Sequence, residues 1–224
     1  LAAFEGRFAD QERLAQAALA LRAQPRAGAG ALDRAQLLAL KAEAIYYQER
    51  PAEALALYRE GLALIEREAA TTGASVFMFT RLAKAHWEVG TTLTELRQYP
   101  EAIRRLAEAE RLAGEALAFE PDDRNARRLL AGMRTAHAQA LGLSGRTDAA
   151  LAVLRANLGD QRAWLEAEPT GLAARDYAYA HVVIGETLAA AGRRADACVA
   201  DRAALAQYDA LRQRGLLNAF DEAG

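Results

Sequence analysis

The sequence predicts an all-α solenoid, in which helical hairpins repeat along the chain. Alanine, leucine, arginine and glutamate dominate its 224 residues, and all four favour helices. Related segments return about every 48 residues, and each holds two helical patterns separated by a turn. We therefore expect about four long helical hairpins, preceded by half a hairpin at the start of the chain.

The repeat is visible in four segments that share one alignment. They read YYQERPAEALALYREGL, RQYPEAIRRLAEAERL, GRTDAALAVLRANL and GRRADACVADRAAL. The alanine after each turn recurs at intervals of 48, 48 and 47 residues, at Ala54, Ala102, Ala150 and Ala197. A fixed period of this length is typical of solenoids, in which each unit covers the apolar face of its neighbour.

Each repeat contains two helices of similar length. In the first full repeat, Leu38, Ala42 and Ile45 lie on one helix face, and Pro51 suits the first turn of the next helix. If the period is structural, the helices should run to about 20 residues, well above the usual 11–12. The expected breaks lie near 49–51, 97–99, 144–147 and 191–194.

Small residues indicate where the two helices of a hairpin approach closely. One lies on each first helix, twelve residues before the repeated alanine, at Ala42, Gly90, Ala138 and Gly185. Small side chains allow helix axes to approach to the low end of the usual 8–10 Å range. A larger residue at any of these positions should push the pair apart.

This pattern resembles the tetratricopeptide repeat (TPR) family. That family has a small residue on the first helix, an alanine twelve residues later and a large residue four beyond it. Tyr58, Leu106 and Leu154 match the large position, whereas Asp201 does not. The resemblance implies a right-handed α–α superhelix. Because the usual repeat has about 34 residues, the longer period here is similar to that of repeats in bacterial multidomain signalling proteins.

We predict a single domain over 1–224, excised from a longer protein. Its parts are a half repeat at 1–24 and helical hairpins at 31–70, 74–118, 123–165 and 170–214. Gly6 and Phe8 are expected in the turn before the half repeat's helix. The glycine-rich stretch 28–33 is expected to be a flexible linker, with Asp33 capping the following helix.

Composition argues against several classes of function. A net charge of −2 gives no electrostatic case for binding nucleic acid, and no apolar run is long enough to cross a membrane. The lone Cys198 is expected to pack as a small residue, and the histidines lack metal-site spacing. The scattered carboxylates Glu43, Glu88, Glu95 and Glu186 are expected to be solvated. We predict no catalytic residues, no metal and no cofactor.

The family resemblance implies that first helices line a concave groove for a peptide or partner helix. The groove residues it selects are Glu43, Tyr46, Tyr47, Lys84, Trp87, Glu88, Thr91, Gln139, Tyr179 and Glu186. Only Lys84 would suit a carboxylate clamp, so the groove is aromatic and acidic. The alternative is that Trp87 and Tyr46 only fill space between helices. The apolar stretch 75–82 could be core or could extend the groove.

The sequence therefore predicts a non-enzymatic protein–protein interaction module, a scaffold within a bacterial regulatory protein. The alternative is a ligand- or peptide-sensing domain that controls an attached kinase or DNA-binding domain. We expect a protein or peptide partner, no nucleic acid and no membrane insertion, and leave the oligomeric state open. The expected location is the cytoplasm, or the periplasm if a parent protein carries a membrane segment.

Overall fold

A computed structural model describes residues 2–22, 30–167 and 170–217 of the chain. This part of the chain contains nine helices and no strand, as the all-α prediction requires. In chain order the helices are α1 (Ala2–Arg22), α2 (Ala31–Tyr46), α3 (Pro51–Thr72), α4 (Val76–Glu95), α5 (Tyr99–Phe119), α6 (Arg124–Leu143), α7 (Thr147–Ala167), α8 (Gly171–Ala190) and α9 (Arg194–Gln213).

The chain divides into two compact units, Leu1–Arg127 and Arg128–Gly224, called here the first and second unit. In the first unit, α1 through α4 each pack extensively on the helix that follows. In the second unit, α8 packs on both α7 and α9. The extensive contacts within each unit therefore join helices that are consecutive in the sequence. A single domain over 1–224 stays a prediction.

The helix lengths agree with the repeat period. Every helix from α3 to α9 has 20 to 22 residues. Only α2 is shorter, with 16 residues, because it begins at Ala31. The breaks within the hairpins fall between Tyr46 and Pro51 and at 96–98, 144–146 and 191–193, which confirms the breaks predicted from the sequence.

The same turn closes all four hairpins. One residue of each turn has a positive φ, and these residues are Glu49, Arg97, Gly145 and Gly192, at intervals of 48, 48 and 47. The N–H of the next residue donates to a carbonyl five residues earlier, in the pairs Arg50–Ile45, Gln98–Leu93, Arg146–Leu141 and Arg193–Leu188. This closure is typical of a Schellman motif at a helix end. The repeat therefore extends to the backbone conformation.

Close helix packing occurs at the predicted small residues. A Cβ atom built on Gly90 would lie 2.6 Å from Cγ of Leu106, and one built on Gly185 would lie 1.9 Å from Oδ1 of Asp201. Ala42 and Ala138 are completely buried. The space at Gly90 and Gly185 is thus filled by the residue four positions after the repeated alanine. Asp201 takes that place in the last hairpin although it is polar.

Two expectations for the first 33 residues are wrong. The turn expected at Gly6 and Phe8 does not exist, because α1 runs without a break from Ala2 to Arg22. One glycine costs a helix only about 1 kcal/mol, and the surrounding alanine and glutamate residues compensate for it. Asp33 does not cap α2, since Gly30 holds the cap position and Asp33 lies in the first turn. Of the predicted linker, residues 28 and 29 lie outside the described residues.

Cys198 is exposed, so its predicted packing role is also wrong. The buried stripe of α9 follows Ala197, Ala200 and Ala204, at helical spacings of three and four. Cys198 is adjacent to Ala197 in the sequence, but a step of one residue rotates it away from that stripe. Proximity to a repeated alanine therefore does not predict burial.

Helix α4 has a side-chain cap that we expect to contribute measurably to stability. Ser75 Oγ accepts a hydrogen bond from the Met78 N–H at 3.1 Å. Ser75→Ala should lower the free energy of unfolding by about 1 kcal/mol, because the amide loses its partner. Urea denaturation would measure this loss. Thr80→Ala in the same helix is the control and should cost little, since Thr80 Oγ1 donates only to the Val76 and Phe77 carbonyls of its own helix. Equal losses of stability in the Ser75→Ala and Thr80→Ala variants would contradict a stabilising role for the Ser75 cap.

Candidate partner-binding surface

The predicted groove residues lie in both units. In the first unit, Glu43 and Tyr46 lie on α2 and Tyr47 follows its end, while Lys84, Trp87, Glu88 and Thr91 lie on α4. In the second unit, Gln139 is half-buried on α6, and Tyr179 and Glu186 are exposed on α8. The second-unit residues stay a prediction from the sequence. The first-unit residues have a geometry that can be described in detail.

Aromatic rings gather at the end of α2. The rings of Tyr46 and Tyr47 meet edge to face, with centroids 5.6 Å apart. Tyr47 also stacks on Phe8 of α1, with centroids 4.8 Å apart and an interplanar angle of 17°. Tyr47 is still 52% exposed. The surface therefore includes Phe8 of α1, although the sequence predicts a turn at this residue.

The carboxylates of Glu43 and Glu88 contribute negative charge to the same surface. The pKa of Glu88 is raised to about 7, chiefly by burial and to a smaller extent by the negative charge of Glu43. Lys84 opposes this shift, with its Nζ 3.4 Å from a carboxylate oxygen of Glu88. Glu43 accepts a hydrogen bond from Gln11 Nε2 of α1 at 3.3 Å. The expectation that these carboxylates are solvated is wrong for Glu88, whose side chain is only 15% exposed.

Tyr58 brings a hydroxyl group from α3 to these carboxylates. The residue is 7% exposed and fills the large position of the repeat, as predicted. Burial raises the pKa of its hydroxyl, and the charges of Glu88 and Glu43 raise it further. Tyr46 and Tyr47 contribute to the same shift. The phenol therefore stays protonated at neutral pH. We call Glu43, Tyr46, Tyr47, Tyr58 and Glu88 the acidic aromatic surface.

Trp87 and Thr91 are less available to a partner than the sequence predicts. Trp87 is half-buried, and its indole nitrogen is buried without an acceptor among the described residues. Thr91 Oγ1 donates to the carbonyl of Trp87 at 2.9 Å, within its own helix. The structure therefore favours the alternative reading of Trp87, in which much of the ring fills space between helices.

The apolar stretch 75–82 divides between core and surface. Met78 is buried. Phe77 is exposed, with the guanidinium of Arg81 4.9 Å from the centre of its ring. Phe79 lies against Phe119 of α5, with ring centroids 5.6 Å apart. The stretch therefore anchors α4 through Met78 and presents aromatic rings to solvent beside it.

His86 and His181 lie in surroundings that suit a structural role. His86 is buried, and burial lowers its pKa to about 4, so the ring is neutral at physiological pH. Burial also lowers the pKa of His181, whose ring lies edge-on to that of Tyr177 with centroids 4.9 Å apart.

Across the described ranges, no three His, Cys, Asp or Glu side chains are grouped as a metal site would need. None of the helices described is both long and apolar enough to span a membrane.

Comparison with known proteins identifies the fold. No protein-family model matches the chain, and no curated protein matches it in sequence. Solved structures do match. A variant of a Podosopora anserina protein assigned as a kinesin light chain, with nearly identical TPR-like repeats, gives a TM-score of 0.67 at 15% identity and covers 93% of this chain and 90% of its own. The chain has a TPR-type repeat fold.

A second crystal structure of that Podosopora anserina protein supports the same assignment. Its TM-score is 0.62 at 16% identity, over 94% of this chain and 89% of the matched chain. These comparisons confirm the predicted fold class of helical TPR-like repeats. At such low identity they concern the fold alone. A relation to long-repeat bacterial signalling proteins stays a prediction.

Proposed function

We propose that this TPR-type protein is a non-enzymatic interaction module that binds a peptide or a partner helix. The observation that carries the proposal is the acidic aromatic surface of the first unit. There, α2, α3 and α4 bring tyrosine rings and carboxylates together, and Tyr47 is exposed although it is a large aromatic residue. Tyrosine is favoured at binding surfaces because it contributes a large contact area with few rotatable bonds.

The proposal gives the helices different roles. Residues of α2 and α4 contact the partner, and outward positions of α5 stay in solvent. Arg104, for example, is exposed on α5. A role within a bacterial regulatory protein and a cytoplasmic location are further proposals, which rest on the sequence resemblance and on composition.

Tyr47→Ala is expected to weaken binding of a captured partner by about 1–2 kcal/mol, because an aromatic anchor loses most of its contact area. Trp87→Ala should weaken binding by a similar amount if part of its ring faces the partner. The measurement is titration calorimetry with the purified partner. Since Trp87 is half-buried, the melting temperature of each variant must be measured alongside.

Arg104→Ala is the matched control, and it should leave the dissociation constant unchanged. A larger loss of affinity for Arg104→Ala than for Tyr47→Ala would place the interface on the second helices of the hairpins. The proposed surface would then have to be abandoned.

A further inference from the structure

Three side chains with polar atoms lie on the buried face of α7. Asn157, Gln161 and Trp164 are 0%, 3% and 8% exposed, and they follow one another at helical spacings of four and three. We propose that this face of α7 binds two ordered water molecules, one between Asn157 and Gln161 and the other between Gln161 and Trp164. The site lies in the second unit and is independent of the surface proposed to bind a partner.

The repeat shows that these positions do not need polar atoms. The residues 48 positions earlier, on α5, are Ala109, Ala113 and Ala116, and all three are completely buried. A helix of this chain can therefore fill the same stripe with small apolar side chains. The hairpin of α6 and α7 instead buries amide and indole groups there. Burial of such groups costs free energy unless they form hydrogen bonds.

The protein satisfies only part of the Asn157 amide. Nδ2 of Asn157 donates to the Ala131 carbonyl at 2.9 Å and to Thr135 Oγ1 at 3.0 Å, both on α6. These bonds fix the orientation of the amide, because a half rotation would place Oδ1 against the carbonyl oxygen of Ala131. The Oδ1 atom is buried and accepts no hydrogen bond from any described residue. It therefore needs a donor from outside the protein.

Gln161 and Trp164 add three more atoms of this kind. Both the oxygen and the nitrogen of the Gln161 amide are buried, and so is the indole nitrogen of Trp164. None of the three forms a hydrogen bond within the part of the chain that the structure describes. Because about nine in ten buried polar atoms have a hydrogen-bond partner, four exceptions on one helix face indicate a bound molecule.

Water fits these atoms in spacing and in hydrogen bonding. Residues three or four positions apart on a helix have Cβ atoms about 5–6 Å apart. One oxygen atom between two such side chains can reach both, since hydrogen bonds are about 2.7–3.0 Å long. One water can donate to Asn157 Oδ1 and accept from Gln161 Nε2. The second can donate to Gln161 Oε1 and accept from Trp164 Nε1. Buried waters typically bind otherwise unsatisfied groups in this way.

No ion is needed to explain this set of atoms. The amide and indole groups present two acceptors and two kinds of donor, and none of them carries a charge. Water supplies both donors and acceptors and is also uncharged. The hairpin of α6 and α7 would thus complete its interior with bound water where the hairpin of α4 and α5 uses alanine.

Oxygen-17 magnetic relaxation dispersion of the full chain would count the long-lived internal waters in solution. Gln161→Met removes both amide atoms and keeps a side chain of similar length. Because Gln161 contacts both proposed waters, the variant should lose the dispersion of two water molecules. Gln213→Met is the matched control, since it makes the same change at an exposed position of α9 in the same unit. It should leave the dispersion unchanged.

A crystal structure of the natural protein would give a second test that does not depend on how a variant folds. We expect one water oxygen within about 3.2 Å of Asn157 Oδ1 and the Gln161 amide. A second water should lie equally close to that amide and to Trp164 Nε1.

Either measurement can overturn the proposal. A loss of fewer than two waters in a folded Gln161→Met variant, or an equal loss in Gln213→Met, would contradict the site. Direct hydrogen bonds from Gln161 to protein groups in the crystal structure would also contradict it. A different molecule at this place in the electron density would exclude water as the occupant.

Discussion

A leucine in place of Gly90 is expected to lower the free energy of unfolding by about 2–3 kcal/mol. Even the first atom of a new side chain would lie 2.6 Å from Cγ of Leu106 and 3.3 Å from its backbone nitrogen. The Leu106 side chain is completely buried, so it cannot turn into solvent to make room. Overpacking of this kind usually costs 1–3 kcal/mol. Urea denaturation monitored by circular dichroism would measure the loss.

Gly114→Leu is the matched control for this prediction. Gly114 also lies within a helix of the first unit, yet apart from its chain neighbours and the backbone of its own helix no atom lies within 4 Å of the position that its Cβ would take. Because leucine favours helices more than glycine does, this substitution should raise stability by up to about 1 kcal/mol. Equal effects at the two positions would mean that α4 and α5 do not pack closely at Gly90.

Leu106→Ala supplies a second control through a double-mutant cycle. Leu106→Ala alone should cost about 2–5 kcal/mol, because it removes a fully buried side chain. Gly90→Ala should be destabilising in the natural sequence and close to neutral in the Leu106→Ala background, where the two nearest atoms, Cγ and Cδ2 of Leu106, are absent. Strict additivity of the two changes would contradict the contact.

Asn157→Asp is expected to destabilise the second unit by about 3–5 kcal/mol at pH 7, the range found for an uncompensated buried charge. The Asn157 side chain is completely buried, and its Nδ2 donates to the Ala131 carbonyl at 2.9 Å and to Thr135 Oγ1 at 3.0 Å. An aspartate has no donor for the carbonyl and places a charge beside it. Denaturation curves at several pH values would test this.

The sign of the pH dependence follows from burial. In the unfolded chain the new aspartate has a pKa of about 3.9. Burial raises its pKa in the folded state, so the folded protein holds the proton more tightly. The variant should therefore be least destabilised below about pH 4 and should lose stability as the pH rises toward the raised pKa. Asn157→Leu, which adds no charge, should show no such trend. An identical trend in both variants would contradict a buried site.

Much of the fold could be predicted from the sequence because its determinants are local and repeated. The alanine at each repeat and the small residue twelve positions earlier are visible in the sequence, and Gly90 and Gly185 are points of close approach in the structure. The turn residues were harder to assign. Glu49 and Arg97 adopt the positive φ that Gly145 and Gly192 adopt easily. The sequence of the first two hairpins therefore does not reveal the turn that they share with the last two.

The binding surface could be predicted only in part. Exposed residues such as Tyr47 follow from helix register, but Phe8 joins them only because α1 packs on α2. The burial of Glu88 and the approach of Tyr58 depend on how three helices meet, which no local pattern encodes. Cys198 shows the same limit, since the side of a helix that is covered depends on its neighbours.

Packing between consecutive helices has a consequence for how the protein opens. Each helix of the first unit is stabilised mainly by the helices before and after it in the chain, so stability behaves as a sum of terms between adjacent elements. Opening of one hairpin should then lower the stability of the next hairpin, and this loss of stability should diminish with distance along the chain. Amide hydrogen exchange should accordingly be fastest at an outer helix such as α1 and slowest near the centre of that unit, with a gradient in place of one global rate.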